Sequence, residues 1–146
     1  MNEKLRRGAL AVLAAVVLST GIAQSAQAQP AAQRNKVVIQ VSDADQGKWN
    51  LALNNARNLQ ADLGAENVDI EIVAYGPGIG MLKIDSPVAN RVAEASAAGV
   101  KIMACENTMT GQKLAHGDML SGIGYVNAGV VEIMQRQQQG WAYLRP

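Results

Sequence analysis

Three runs of β-branched and apolar residues recur about every 30 residues, a spacing typical of strand-helix-strand units. They begin at Val37, Val68 and Val100. The first and third runs are almost continuously apolar, which is typical of parallel strands covered on both faces. In the second run apolar residues alternate with Asp69 and Glu71, so we expect one exposed face and a position at the sheet edge. This spacing restricts the chain to an α/β fold.

Helix signals lie in both intervals between these runs. Apolar residues at three- and four-residue spacing predict a first helix with one buried stripe, which Gly64 ends. The stripe consists of Trp49, Leu53, Ala56, Leu59 and Leu63. Its cap candidates are Ser42, Asp43 and Asp45. Ser86 and Pro87 predict the start of a second helix, because proline at the first helical position gives up only an N–H that would be unpaired, and Gly99 ends it.

The remaining signals complete an alternating pattern. We predict a short helix near residues 108–114, a strand over Ile123–Val126, a helix from Asn127 to Gly140 and a last strand over Trp141–Leu144. Alternating strands and helices favour a three-layer α/β/α sandwich around a mainly parallel five-stranded sheet. We expect the flavodoxin-like strand order 2-1-3-4-5, which places the alternating second strand at the edge.

The first 28 residues have the three parts of a cleavable signal peptide. Three basic residues precede an uncharged apolar stretch, and Ala26–Ala28 resembles a cleavage site. The stretch is shorter than the roughly 20 residues that a membrane span needs, so cleavage is favoured over an anchor. We therefore expect a periplasmic or secreted protein with a flexible lead over residues 29–35 and one domain over residues 36–146.

Charge and cysteine content narrow the range of partners. Without residues 1–28 the chain has 118 residues, 10 basic and 11 acidic. A net charge near −1 gives no electrostatic basis for binding nucleic acid or an anionic membrane. The single cysteine, Cys105, excludes a disulfide within this sequence.

The candidate site lies beyond the carboxyl ends of the first three predicted strands. In the expected strand order the winding reverses between the first and third strands, and ligands bind at such a point. Topology therefore places Cys105 at the crevice as the candidate catalytic residue. The candidate substrate-binding residues of the same three segments are Ser42, Asp43, Gly76, Gly78, Asn107 and Thr108.

Cys105 has a reactive and an inert interpretation. Unpaired N–H groups at a helix start lower the pKa of a thiol, and the thiolate is the nucleophilic form. Glu106 opposes this effect, because an adjacent carboxylate disfavours the thiolate unless it points away. The alternative is a small buried side chain without reactivity, and the sequence pattern leaves both open.

Other candidates have structural alternatives. Gly76–Gly80 can bind an anion through its N–H groups, but it lacks the dinucleotide and Walker spacings and favours a tight turn. Asp43 and Asp45 can serve as an acid-base pair or metal ligands, although acidic helix caps are far commoner. His116, the only histidine, is expected in a loop.

A soft-ligand set offers a copper(I) alternative. Methionines usually fill cores, and the set contains no tight ligand pair, so we expect no metal site. The set consists of Met103, Cys105, Met109, His116 and Met119.

Four stretches carry a resemblance that covers Lys36 to Pro146. They are Ala74–Gly78, Ala104–Met109, Gly129–Ile133 and Gln138–Pro146. In their order and spacing they resemble the DsrE/DsrF-like family. The resemblance implies a homo-trimer or homo-hexamer and, in sulfur-relay members, a cysteine after the third strand that carries sulfur as a persulfide. Cys105 matches that position.

The resemblance implies sulfur donor and acceptor proteins as partners and no cofactor. Our leading hypothesis is an exported sulfur carrier or sulfurtransferase that accepts sulfane sulfur on Cys105. Because the well-understood relay members are cytoplasmic, the donor and acceptor stay open. The alternative is a noncatalytic oligomeric binding module for a small ligand or partner protein, with an inert Cys105.

Overall fold

The computed structural model describes residues 34–146, and the predicted signal peptide lies outside this range. Strands and helices alternate through the described residues. The strands are β1 (Asn35–Val41), β2 (Val68–Ala74), β3 (Lys101–Cys105), β4 (Gly124–Val126) and β5 (Ala142–Leu144). The helices are α1 (Gln46–Leu63), α2 (Ala89–Ala97), α3 (Glu106–Gly111) and α4 (Gly129–Gln138). In residues 34–146 no helix is both long and apolar enough to span a bilayer.

The five strands form one parallel sheet, which confirms the predicted α/β class. The strand order is β4-β3-β2-β1-β5, so the predicted order 2-1-3-4-5 is wrong. β2 lies between β1 and β3 rather than at the edge. The winding reverses between β1 and β5, not between the first and third strands.

A buried ion pair explains the error about β2. Glu71 is completely buried, and its Oε2 lies 2.8 Å from Nη2 of Arg136 on α4. Asp69, near the start of the strand, pairs instead with Arg34 at 3.1 Å. An alternating pattern predicts a solvated face only when its polar residues have no partner in the next layer. Here the partner comes from a helix more than 60 residues later in the chain.

The two faces of the sheet are covered unequally. α1 and α2 pack on one face and form the larger apolar core with alternate residues of β1, β2 and β3. α4 packs on the other face, where the smaller core contains Val38, Val73, Ile133 and Trp141. A helix is about 10–12 Å wide, whereas five strands at about 4.8 Å spacing span roughly 19 Å. α4 therefore covers about half of its face.

Helix boundaries follow the local capping signals closely. Asp45 caps α1 by accepting the Lys48 N–H at 3.0 Å, and Gly64 ends it with φ +86°, as predicted. The second helix begins at Ala89 rather than at Pro87, because Ser86 and Pro87 form the turn that precedes it.

The two later helices begin at positions other than those predicted. α3 starts at Glu106, directly after β3, two residues before the predicted start. α4 starts at Gly129, and the Asn127 carbonyl accepts the Asn107 N–H at 3.0 Å. This bond ties the starts of α3 and α4 together at one edge of the sheet.

Gly78 allows the turn after β2 to pack directly on the end of β1. A Cβ at Gly78 would lie 2.2 Å from the Val41 carbonyl oxygen and 2.9 Å from Ser42 Cα. Because backbone atoms cannot move aside as side-chain ends do, Gly78→Ala should lower the free energy of unfolding by about 1–3 kcal/mol. Urea unfolding followed by circular dichroism measures this. Gly111→Ala, whose Cβ would meet nothing within 4 Å, is the control and should be neutral or slightly stabilising.

Candidate functional site

Cys105 lies between the starts of two helices. It ends β3, it immediately precedes α3, and its side chain is 4% exposed. Its pairing partner on β4, Val126, packs against the smaller core, so the thiol points to the face that α4 covers. Sγ accepts the N–H of Gly129, the first residue of α4, at 3.3 Å. The Asn127 carbonyl oxygen lies 3.9 Å from Sγ and accepts the proton of the thiol when Cys105 is protonated.

Residue 129 must be a glycine for its N–H to come within 3.3 Å of Sγ. A Cβ at this position would lie 3.0 Å from Cβ of Tyr75 and 3.2 Å from Cγ1 of Val73. A larger residue would lift the start of α4 away from β2 and β3. The donor to Sγ thus depends on a glycine.

A second donor reaches Cys105 through the first turn of α3. The Thr108 hydroxyl accepts the Gly76 N–H at 2.9 Å, which leaves its own proton for Sγ. The Gln112 side chain also donates to the Gly76 carbonyl at 3.2 Å. The turn after β2 is therefore fixed to α3 and orients the Thr108 hydroxyl.

Two opposing effects set the acidity of the thiol. Burial raises the pKa of Cys105, but hydrogen bonding from the Thr108 hydroxyl and the Gly129 N–H, with the N–H groups of Thr108 and Asn107, lowers it by more. The Asn107 N–H is committed to the Asn127 carbonyl, so it acts on Sγ as a nearby dipole. The net pKa is below the ordinary value, which increases the nucleophilic thiolate near neutral pH.

Glu106 does not oppose the thiolate as the sequence suggested. Its Oε1 is 3.2 Å from Nε2 of His116, whose ring stacks on Tyr125 with centroids 3.9 Å apart. The largest effects on the pKa of Cys105 come from burial and from the hydrogen-bond donors named above, not from Glu106. His116 is largely exposed, in a short 3₁₀ segment over His116–Asp118.

The predicted binding residues separate into two groups. Gly76, Asn107 and Thr108 surround Cys105, as described above. Ser42 and Asp43 lie instead after β1, near the actual reversal point beside β5. Gly78 joins the groups through its contact with the end of β1.

The polar side chains of the second group, Ser42 and Asp43, already bond to other side chains of the protein. The Ser42 hydroxyl accepts from Gln40 Nε2 at 3.0 Å. Asp43 pairs with Lys48 at 3.0 Å and with Arg145 at 3.7 Å. The Lys48 hydrogen bond, aided by Arg145, lowers the pKa of Asp43 although desolvation opposes it. Since Asp45 caps α1, the two aspartates do not form an acid-base pair.

The soft-ligand set does not converge on one point. Met109 and Met119 belong to the larger core, whereas Met103 packs against the smaller core on the other face of the sheet. His116 is on the surface. The copper(I) alternative is therefore not supported, and residues 34–146 contain no group of three His, Cys, Asp or Glu side chains arranged to hold a metal.

An open groove of about 350 Å³ lies beside the start of α4. Its lining residues are Gln40, Tyr75, Val130, Ile133, Met134, Gln137 and Tyr143. The Tyr143 hydroxyl donates to Gln40 Oε1 at 2.5 Å, which fixes one wall. Sequence reasoning missed this groove and the Gly129 donor, because both depend on where α4 and β5 return to the sheet. The signal available in the sequence was the family pattern, whose stretches include Tyr75, Gly129 and Tyr143.

The Thr108 hydroxyl gives a direct test of the acidity of Cys105. Thr108→Val removes a donor to Sγ at nearly constant volume, so the pKa of Cys105 should rise. Alkylation at pH 7 should then slow by about three- to tenfold, the net value of one hydrogen bond. Iodoacetamide rates measured across pH should show the profile displaced to higher pH.

Thr108→Ser, which keeps the hydroxyl, is the matched control and should react like the parent. If the valine and serine variants gave the same profile as the parent, the hydroxyl would have no part in setting the thiol pKa.

Comparisons with known proteins agree with this architecture. A model of the DsrE/DsrF-like family matches residues 35–146. MTH1491 from Methanobacterium thermoautotrophicum, a protein of unknown function, has a solved structure and shares 40% sequence identity with this chain. The TM-score is 0.73, and the match covers 77% of this chain and 99% of the MTH1491 chain.

Two solved structures of lower identity share the fold. BT1422 from Bacteroides thetaiotaomicron is 16% identical with a TM-score of 0.62, over 77% of this chain and 95% of that chain. The ychN protein from E. coli is 18% identical with a TM-score of 0.63, over 77% and 99%. A search of curated proteins found no match.

Proposed function

Because this chain belongs to the DsrE/DsrF-like family, which suggests a sulfur-relay-like role in general, we propose that it carries sulfane sulfur as a persulfide on Cys105. The observation that supports the proposal most is the position of Sγ at the starts of α3 and α4, with the Gly129 N–H at 3.3 Å. Donors aimed at the sulfur stabilise negative charge on it. A sulfur carrier needs little else, because thiolate exchange requires no metal and few acid-base groups.

The proposed exchange consists of two displacements. The Cys105 thiolate attacks a sulfane sulfur of a polysulfide or thiosulfate donor and forms an Sγ–S bond. The S–S bond of the donor breaks, and its electron pair leaves with the shortened polysulfide or with sulfite. An acceptor thiolate then attacks the outer sulfur, and Cys105 departs as the thiolate.

Gly129 and Thr108 contribute to both displacements. In the first, they increase the thiolate fraction of the attacking sulfur. In the second, they stabilise the charge that returns to Sγ, because a thiol of lower pKa leaves faster. The same donors therefore support loading and release of sulfur.

Persulfide formation can be measured directly. Mature protein incubated with polysulfide or thiosulfate should gain the mass of one sulfur atom in intact-mass spectrometry, and a reductant should reverse the gain. Cys105→Ser should gain none. An adduct of equal size on Cys105→Ser, or no adduct on the parent at any donor concentration, would rule the carrier role out.

The burial of Cys105 supports a second candidate function. At 4% exposure the thiol packs like a core side chain, as a noncatalytic binding module would allow. Such a module would not need the sulfur. In that case iodoacetamide should modify Cys105 rapidly only after unfolding in urea.

We also propose that the protein is a homo-oligomer that uses the uncovered side of α4. Val130 and Met134 of α4 are 57% and 50% exposed, and Tyr143 of β5, which lines the same groove, is 40% exposed, so the three make an apolar patch in contact with water. Such an interface would cover the half of the sheet face that α4 leaves open. We propose that this face forms the subunit contacts of the trimer or hexamer that the family resemblance implies.

Light scattering on the mature protein tests the assembly. The parent should elute as a trimer or hexamer, and Met134→Glu should yield monomers, because a carboxylate buried in an apolar interface is costly. Gln135→Glu places the same charge on the next residue, which is already polar and exposed, and should leave the assembly unchanged. Equal masses for parent and Met134→Glu would exclude this face.

Export to the periplasm or outside the cell is part of the proposal. It rests on the pattern of residues 1–28 and on Ala26–Ala28 as the cleavage site. The donor and acceptor would then be exported molecules or proteins as well.

A further inference from the structure

An ionic cluster lies inside the smaller core, between β2 and α4. Arg136 Nη2 is 2.8 Å from Glu71 Oε2 and 2.9 Å from Glu132 Oε1. The guanidinium carbon lies 4.8 Å from the centroid of the Trp141 ring. Glu71 is completely buried among apolar side chains, so one positive group serves two carboxylates in a poorly solvated place.

Stability alone does not account for this cluster. Replacing a buried ion pair with apolar residues of similar size is often neutral or stabilising, because desolvation offsets the attraction. Within residues 34–146, both Glu71 oxygens and Arg136 Nε lack a hydrogen bond of regular geometry. The cluster is thus held by attraction between charges at short distance rather than by two parallel hydrogen bonds between the guanidinium and one carboxylate. What such a pair supplies is one preferred position of the helix on the sheet.

The position of α4 matters at its other end. Gly129 and Arg136 are seven residues apart, which corresponds to about two turns and about 10 Å along the helix axis. Both therefore face the sheet, with Arg136 over Glu71 and Gly129 over Cys105. A rotation or slide of α4 that lengthened the ion pair would also move the Gly129 N–H away from Sγ.

We propose that Arg136 is a positioning residue: by pinning α4 to Glu71 of β2, it holds the Gly129 N–H against the sulfur of Cys105. This inference rests on the proposed function in that it assigns the role to the same thiol. It adds that the chemistry of the site depends on a group two helical turns away that touches neither Cys105 nor its donors.

Protonation of Glu71 lets the core tolerate the loss of Arg136 alone. Burial raises the pKa of Glu71, and the nearby Glu132 raises it further, whereas Arg136 lowers it. Without Arg136, Glu71 can take up a proton and stay buried as a neutral group. Glu132 is partly exposed and can turn toward water.

The test replaces the cluster with apolar residues of similar length. Glu71→Met combined with Arg136→Met should fold with an unchanged or higher melting temperature. Alkylation of Cys105 at pH 7 should nevertheless slow by about two- to fivefold, the usual effect of a helix-terminal donor on a charge. The rate profile should move to higher pH, and the rate of persulfide formation should fall by a similar factor.

Arg91→Met is the matched control. Arg91 joins α2 to α1 through Asn50 and Asn54 on the opposite face, so its loss should leave the alkylation profile unchanged. Arg136→Lys provides a second variant if the double variant does not fold. Lysine keeps the charge, but its side chain is shorter and lacks the planar guanidinium that lies over the Trp141 ring, so alkylation should again slow.

The outcomes separate this inference from the proposed function. If a folded cluster variant is alkylated with the pH profile of the parent, the positioning role is excluded, whether or not Cys105 accepts sulfur. If the profile moves but the parent never forms a persulfide, Arg136 positions α4 and the carrier role fails.

Discussion

The contact between the end of β3 and the start of α4 determines the surroundings of Cys105, the single cysteine of the sequence. Parallel strands bring their carboxyl ends to one edge of the sheet, and each following helix runs back with its amino end at that same edge. Cys105 is the last residue of β3, and Gly129 is the first residue of α4. Their 3.3 Å contact exists because the α/β arrangement brings the two ends together and because glycine permits the approach.

The thiol pKa is a balance between two large effects. Burial disfavours the thiolate, and each hydrogen bond that the sulfur accepts favours it. The net lowering of the pKa of Cys105 is therefore a difference that depends on every donor being in place. Groups that only orient donors, such as the Gly76 N–H bonded to Thr108, consequently affect the sulfur without contacting it.

Local signals in the sequence predicted local structure well. The continuous apolar run from Val37, the cap at Asp45 and the stop at Gly64 depend on neighbours a few residues away, and each appears in the structure. The position of Cys105 at a strand end before a helix was predicted for the same reason. The parallel α/β class followed from the alternation of these elements.

Long-range relations were not accessible in this way. The strand order was wrong because Glu71 looks solvent-facing unless Arg136 is known to lie across from it. The direction of the Glu106 side chain depends on His116, and the Gly129 donor depends on where α4 returns to the sheet. Periodicity reports how buried a residue is relative to its neighbours, but it carries no information about which distant segment covers it.

The burial of Cys105 is compatible with the proposed transfer of sulfur for a geometrical reason. In a persulfide the outer sulfur lies about 2.05 Å beyond Sγ. Sγ can therefore remain against the Gly129 N–H while the atom that reacts lies one bond length away from it. An acceptor thiolate attacks that outer sulfur, so the release step requires access to the outer sulfur rather than to Sγ, and only the loading step requires access to Sγ itself.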